Sequence, residues 1–149
     1  MSSLPQILIV ENAFRWSPHF KMAFPATVVW RRLSEPQQVP DELSRRPASV
    51  VFFEISDTSG DEPLVYVSDW KQRFPKACLG VLLNRRDRWR TPLLLEAGAT
   101  LAAFSPRRLQ AAAAAAMRHL AQAADLETPS LHQQIQRRLP WGDSSPGAS

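Results

Sequence analysis

The sequence predicts an α/β protein: a doubly wound, five-stranded parallel sheet with helices on both faces, followed by a C-terminal tail that is helical or disordered. Three observations predict it. Five short apolar runs, at residues 7–10, 27–30, 49–54, 79–83 and 101–104, alternate with amphipathic stretches, the signature of a parallel sheet covered on both faces. The fourth run is apolar without a break, as in a strand buried on both sides. The alanine-rich stretch that closes the series has high helix propensity and suits close packing on a sheet. Right-handed crossovers then favour the strand order 2-1-3-4-5.

Each element has its own local reason. Ile7-Leu-Ile-Val10 reads as a buried strand, and residues 13–24 as a helix or helical turns with Pro18 early in the helix, because an interior proline breaks the hydrogen-bond ladder. Residues 27–30 are β-branched and aromatic, a second strand. Residues 35–46 form a weak helix, interrupted by Pro36 and Pro40, with Asp41 capping its last part. Ser49-Val-Val-Phe-Phe-Glu54 is the clearest strand, and residues 57–61 are a polar loop. Pro63 opens a helix to Phe74 whose apolar stripe is Leu64, Val67, Trp70 and Phe74. A helix over residues 90–97 is stopped by Gly98. Ser105 caps, and Pro106 begins, a long helix to about Leu126.

Composition then shifts. Thr128-Pro129 breaks the helix, residues 130–139 form a short amphipathic helix with Leu131, Ile135 and Leu139 on one face, and Trp141 follows. Residues 143–149 are small, polar and expected to be disordered. Residues 1–126 are therefore one domain and 127–149 a tail.

Bulk properties narrow the function classes. A chain of 149 residues, 44% hydrophobic, can bury a real core. No run approaches the ~20 apolar residues that span a bilayer, and the N-terminus lacks a basic segment and a cleavage site, so neither membrane insertion nor secretion is expected. Cys78 is the only cysteine; it cannot form an internal disulfide and reads as a buried thiol in a reducing, cytoplasmic setting. Only three of the 18 basic residues are lysines (Lys21, Lys71, Lys76). That bias fits a GC-rich genome as well as selection for bidentate contacts to carboxylate or phosphate. His19, His119 and His132 have no metal-ligand spacing and read as surface residues. With five glycines, no phosphate cradle and no nucleophile–base arrangement, neither a cofactor, a resident metal nor an enzymatic activity is expected.

In an open parallel sheet, ligands gather at the carboxyl ends of the strands. There stand Glu11 and Asn12 after the first strand, Glu54 ending the third, Leu83 and Asn84 ending the fourth, and Ser105 after the fifth. Over residues 6–124 the chain resembles the receiver domains of two-component response regulators, with their flavodoxin- or CheY-like order of strands. The resemblance is carried by Ile7-Leu-Ile-Val-Glu-Asn12, Val50-Val-Phe-Phe-Glu-Ile55, Leu95-Glu-Ala-Gly-Ala99 and Phe104-Ser-Pro-Arg-Arg-Leu109. An active receiver needs an acidic pair for Mg²⁺, an acceptor aspartate, a hydroxyl after strand four and a lysine after strand five, because metal and ammonium absorb the charge of the transferring phosphoryl group. Here Asn12 replaces one acid, Glu54 replaces the acceptor with a longer arm, Leu83 stands where a hydroxyl is needed, and no lysine follows Lys76. The resemblance thus implies a degenerate phosphorylation site at Glu11, Asn12, Glu54, Leu83 and Ser105. Glu54 is either a polar residue at a solvated strand end or a surrogate for the phosphorylated state.

Receivers without their chemistry serve as protein-interaction modules, so the resemblance implies a phosphorylation-independent pseudo-receiver in bacterial signalling or transcription control. Asn84-Arg-Arg-Asp-Arg-Trp-Arg90 places Arg85, Arg86, Arg88, Trp89 and Arg90 beside Arg107 and Arg108 at the opening of the fifth helix, a basic face with an aromatic anchor. Leu131, Ile135, Leu139 and Trp141 form a second candidate contact, docking on a partner or on their own domain. A homodimer through the fourth and fifth helices is a further expectation. The alternative is an accessory protein that binds nucleic acid through the arginines, disfavoured by a net charge of only +4.

Overall fold

The computed structural model describes residues 4–55 and 62–127, the last four by their backbone alone. Five parallel strands, β1 (Ile7–Val10), β2 (Trp30–Leu33), β3 (Val50–Glu54), β4 (Cys78–Leu82) and β5 (Leu101–Ala103), are ordered β2-β1-β3-β4-β5. Between and after them run α1 (Ser17–Ala23), α2 (Val39–Arg45), α3 (Glu62–Arg73), α4 (Thr91–Ala97) and α5 (Gln110–Glu127), with single 3₁₀ stretches at Pro36–Gln38 and Arg85–Arg90. The expected order and class are those found.

The period of two along each strand divides the core into two layers. Ile7, Ile9, Val50, Phe52 and Leu82 face α1 and α5, meeting Trp16, Phe20, Leu109, Ala112, Ala113 and Ala116. Leu8, Val10, Val51, Phe53, Leu79 and Val81 face the opposite way, against Val39, Leu43, Val67, Trp70 and Leu94 of α2, α3 and α4. Aromatic rings knit each layer: Phe20 lies 4.8 Å from Phe52 on one side, and Trp70 lies 5.2 Å from Phe53 on the other. Gly80 is required by close approach, since a Cβ there would stand 2.8 Å from the Phe52 ring. Gly98 ends α4 at a φ of 133°, where its missing side chain also leaves room for Lys71 of α3.

Five expectations are corrected. The second strand begins at Trp30, not Thr27, because Val28 N–H closes a turn on the Pro25 carbonyl and pairing with β1 starts at Ile7–Trp30. As an edge strand, β2 tolerates Arg31 and Arg32, whose charge disguised it. The first helix is only seven residues long, with Pro18 in its first turn. Asp41 lies inside the first turn of α2; the cap forms earlier, where Glu35 and Gln38 bond reciprocally around the 3₁₀ turn. Ser105 does not open α5: its hydroxyl accepts from Arg107 N–H and its carbonyl from Arg108 N–H, closing an isolated turn before Leu109 is buried. His119, expected at the surface, is half-buried, and its Nε2–H donates to the Ala48 carbonyl at 2.8 Å. Cys78 is buried as expected, and burial pushes its thiol pKa up. The polar loop expected at 57–61 and the tail helix expected at 130–139 lie outside the described residues.

Candidate functional site

The ends of β1 and β3 bring Glu11, Asn12 and Glu54 together, and strand parity explains how. Glu11 continues the Ile7–Ile9 series and Glu54 the Val50–Phe52 series, so both project towards α1. Glu11 is fully buried and caps α1 from six residues upstream. One carboxylate oxygen accepts from the N–H groups of Arg15 (3.1 Å) and Trp16 (2.8 Å). The other accepts from Ser17 N–H (3.0 Å) and from the Ser17 hydroxyl. Four donors of the helix entry are thereby satisfied, which the local sequence does not supply by an ordinary N-cap.

Glu54 is half-buried, and its pKa is raised, first by desolvation and then by the Glu11 charge. The Trp16 indole, Arg15 and the Asn12 backbone N–H approach it and partly offset that rise. The indole approach is electrostatic rather than a closed hydrogen bond: the buried Trp16 Nε1 has no partner of good geometry. Glu11, Asn12 and Glu54 also border a cavity of about 300 Å³, with Glu35, Glu62 and Tyr66 around its rim. Its polar rim and negative charge suit a cationic or hydrogen-bonding visitor better than an apolar one.

The remaining expected residues do not join this group. Leu83 is wholly buried in the layer facing α3 and α4. Ser105 spends its hydroxyl on its own turn. Arg32 is the residue that sequence reasoning missed. Its Nη2 donates to the carbonyls of Glu11 (2.8 Å) and Asn12 (2.9 Å), its Nε lies 3.6 Å from the Glu11 carboxylate, and its guanidinium stacks on Phe14 at 4.0 Å. Once β2 is extended to Leu33, parity alone places Arg32 on the α1 side beside Glu11.

The arginine segment forms a second cluster. Asn84 caps the 3₁₀ stretch by accepting Asp87 N–H at 3.0 Å. Asp87 is buried and lies 3.7 Å from Arg90, which is therefore tied down rather than displayed. Arg85, Arg86 and Arg88 are exposed. Trp89 is 65% exposed, and Leu93 (46%) and Leu95 (45%) of α4 are exposed as well. It does not pack on the core. Arg88 stacks on Phe104 at 5.0 Å, which joins this segment to the end of β5. Arg107 and Arg108 are exposed in the following turn, and Arg107 borders a different cavity with His19 and Met22 of α1. The Arg88–Phe104 contact brings the first arginine group to within a few residues of the second along the chain. Leu131, Ile135, Leu139 and Trp141 lie outside the described residues.

No helix among the described residues is long and apolar enough to cross a membrane, and none of their His, Cys, Asp and Glu side chains cluster in threes suited to a metal ion. No protein-family model and no curated protein matches the chain. Solved structures do. A response regulator from Thermotoga maritima superposes with a TM-score of 0.67 at 19% identity, over 80% of this chain and 99% of that one. NtrX from Brucella abortus gives 0.62 at 16% identity, over 93% of this chain and 35% of the longer neighbour. A chain described as adenylate cyclase from Rhodopirellula baltica gives 0.61 at 13% identity, over 92% and 100%. At such identities the likeness is one of architecture, and with the observed strand order it establishes that the chain carries the CheY-like receiver fold of response regulators.

Proposed function

We propose that the chain is a pseudo-receiver, a phosphorylation-independent and non-enzymatic interaction module of bacterial, cytoplasmic signalling or transcription control. The observation that carries this reading is Trp89, exposed in a segment that also exposes Arg85, Arg86 and Arg88 and contacted by Arg90 at 5.3 Å. An aromatic anchor with an arginine rim is the composition enriched in binding hot spots. By charge complementarity, the partner is a protein surface presenting an apolar pocket bordered by carboxylates. Phosphorylation independence is supported by Glu54 in place of an aspartate, by Leu83 filling the end of β4, and by the lack of any lysine after Lys76.

The test is affinity capture from bacterial cytoplasm with the full chain, Trp89→Ala, Arg85→Glu/Arg88→Glu, and a chain ending at Leu126. A specific protein should be retained by the full chain and weakened about tenfold or more by Trp89→Ala. Capture lost only on truncation would move the contact to residues 127–149. Recovery of nucleic acid alone, released by salt, would overturn the reading in favour of phosphate binding.

A further inference from the structure

The end of β1 presents more oxygen than the entry of α1 consumes. The carbonyls of Glu11 and Asn12 stand 2.8 and 2.9 Å from Arg32 Nη2, and Glu11 Oε2 stands 3.6 Å from Arg32 Nε. One carboxylate and two carbonyls converging on a point is a donor set of the kind hard divalent cations take. Here the point is filled by a guanidinium, carried on β2 and covered by the Phe14 ring, with only 20% of the side chain exposed.

The fold implies a divalent cation at this edge, and the residues present do not fit one. Both Glu11 oxygens already accept donors from α1. Asn12 brings no charge, and a fixed positive group occupies the space its carbonyl faces. A small, strongly hydrated cation would have to displace an ion pair that cannot diffuse away.

We propose that Arg32 is a built-in counter-ion that replaces an exchangeable divalent cation at the end of β1. It sets the conformation of residues 12–16 independently of metal concentration. A strand residue that neutralises Glu11 pairs that one carboxylate permanently, as a dissociable ion does not. This inference stands apart from the docking reading: partner capture through Trp89 can fail while indifference to metal holds, and the reverse.

The test is a magnesium titration of the isotopically labelled full chain, following the backbone amide shifts of residues 11–17. The wild-type protein should show no saturable shift at millimolar magnesium. Arg32→Met, which keeps an unbranched side chain but removes the charge, should acquire a saturable shift in the same amides, with affinity raised about tenfold or more. Saturable binding by the wild type would overturn the proposal, as would an Arg32→Met chain that folds and remains as indifferent as the wild type. If Arg32→Met does not fold, Arg32→Lys decides: it should fold and stay silent to magnesium, and either magnesium binding or failure to fold would overturn the assignment.

Discussion

The two ends of the sheet each bury a glutamate, and they treat it differently. At the amino end, Glu42 of α2 accepts from the Gln6 side chain at 3.0 Å, from Arg31 at 2.8 Å and from Arg45 at 3.3 Å. Gln6 N–H donates in turn to Ser49 Oγ at 3.0 Å. That network ties α2 to the starts of three strands, and its two arginines keep their heads in water. At the carboxyl end, Glu11 is equally well matched, but Glu54 beside it is not. Its carboxyl bears a burial cost and a like charge, while the indole N–H of Trp16 stays buried and unmatched. Among the described residues, polar mismatch thus gathers at the end of the sheet where this architecture gathers ligands, and the Glu42 network at the other end serves as scaffold.

Three substitutions sharpen or break this contrast. The largest effect is expected from Glu11→Ala, which strands the N–H groups of Arg15, Trp16 and Ser17 and leaves Arg32 without its carboxylate. A loss of about 3–5 kcal/mol should appear in denaturant unfolding, the range for breaking a buried ion pair from one side. Glu42→Ala should cost less, about 1–3 kcal/mol, because Arg31 and Arg45 are more than half exposed and return to water, leaving the Gln6 amide as the principal orphan. Equal losses for the two would erase the distinction between the ends. Glu54→Gln should have the smallest effect and the opposite sign. A carboxyl whose pKa is raised on folding binds its proton more tightly in the native state, so its contribution is most favourable below the unfolded value of 4.5 and is lost as pH rises through the folded value. The amide variant should therefore melt higher than the wild type at neutral pH, with the gap closing as the pH falls towards 4.5. A gap that widens on acidification would show that Glu54 stabilises as an anion.

Much of the fold was legible because parallel strands buried on both faces are written as unbroken apolar runs, as at Val50–Phe53 and Leu79–Leu82. Gly98 was legible for a similar reason: one residue type answers one backbone requirement. The site was read less fully. Glu11, Asn12 and Glu54 were found from their places at strand ends, but their meaning depends on Arg32. An edge strand needs little hydrophobicity, so Arg31 and Arg32 hid the part of β2 that reaches the site. The start of α5 was misplaced because serine followed by proline signals a helix entry, and an isolated turn satisfies the same two donors. The Glu11 cap spans a loop instead of the usual two or three residues, beyond the reach of local capping patterns.

His119 has a consequence for the geometry of the whole molecule. It fastens α5 to the Ala48 carbonyl at the start of β3, while the first turn of the same helix borders Arg107 at the other end of the sheet. Eighteen residues at about 1.5 Å each make α5 a strut of about 27 Å. The backbone of α5 therefore ends at the pole of the sheet opposite the arginine segment and Trp89.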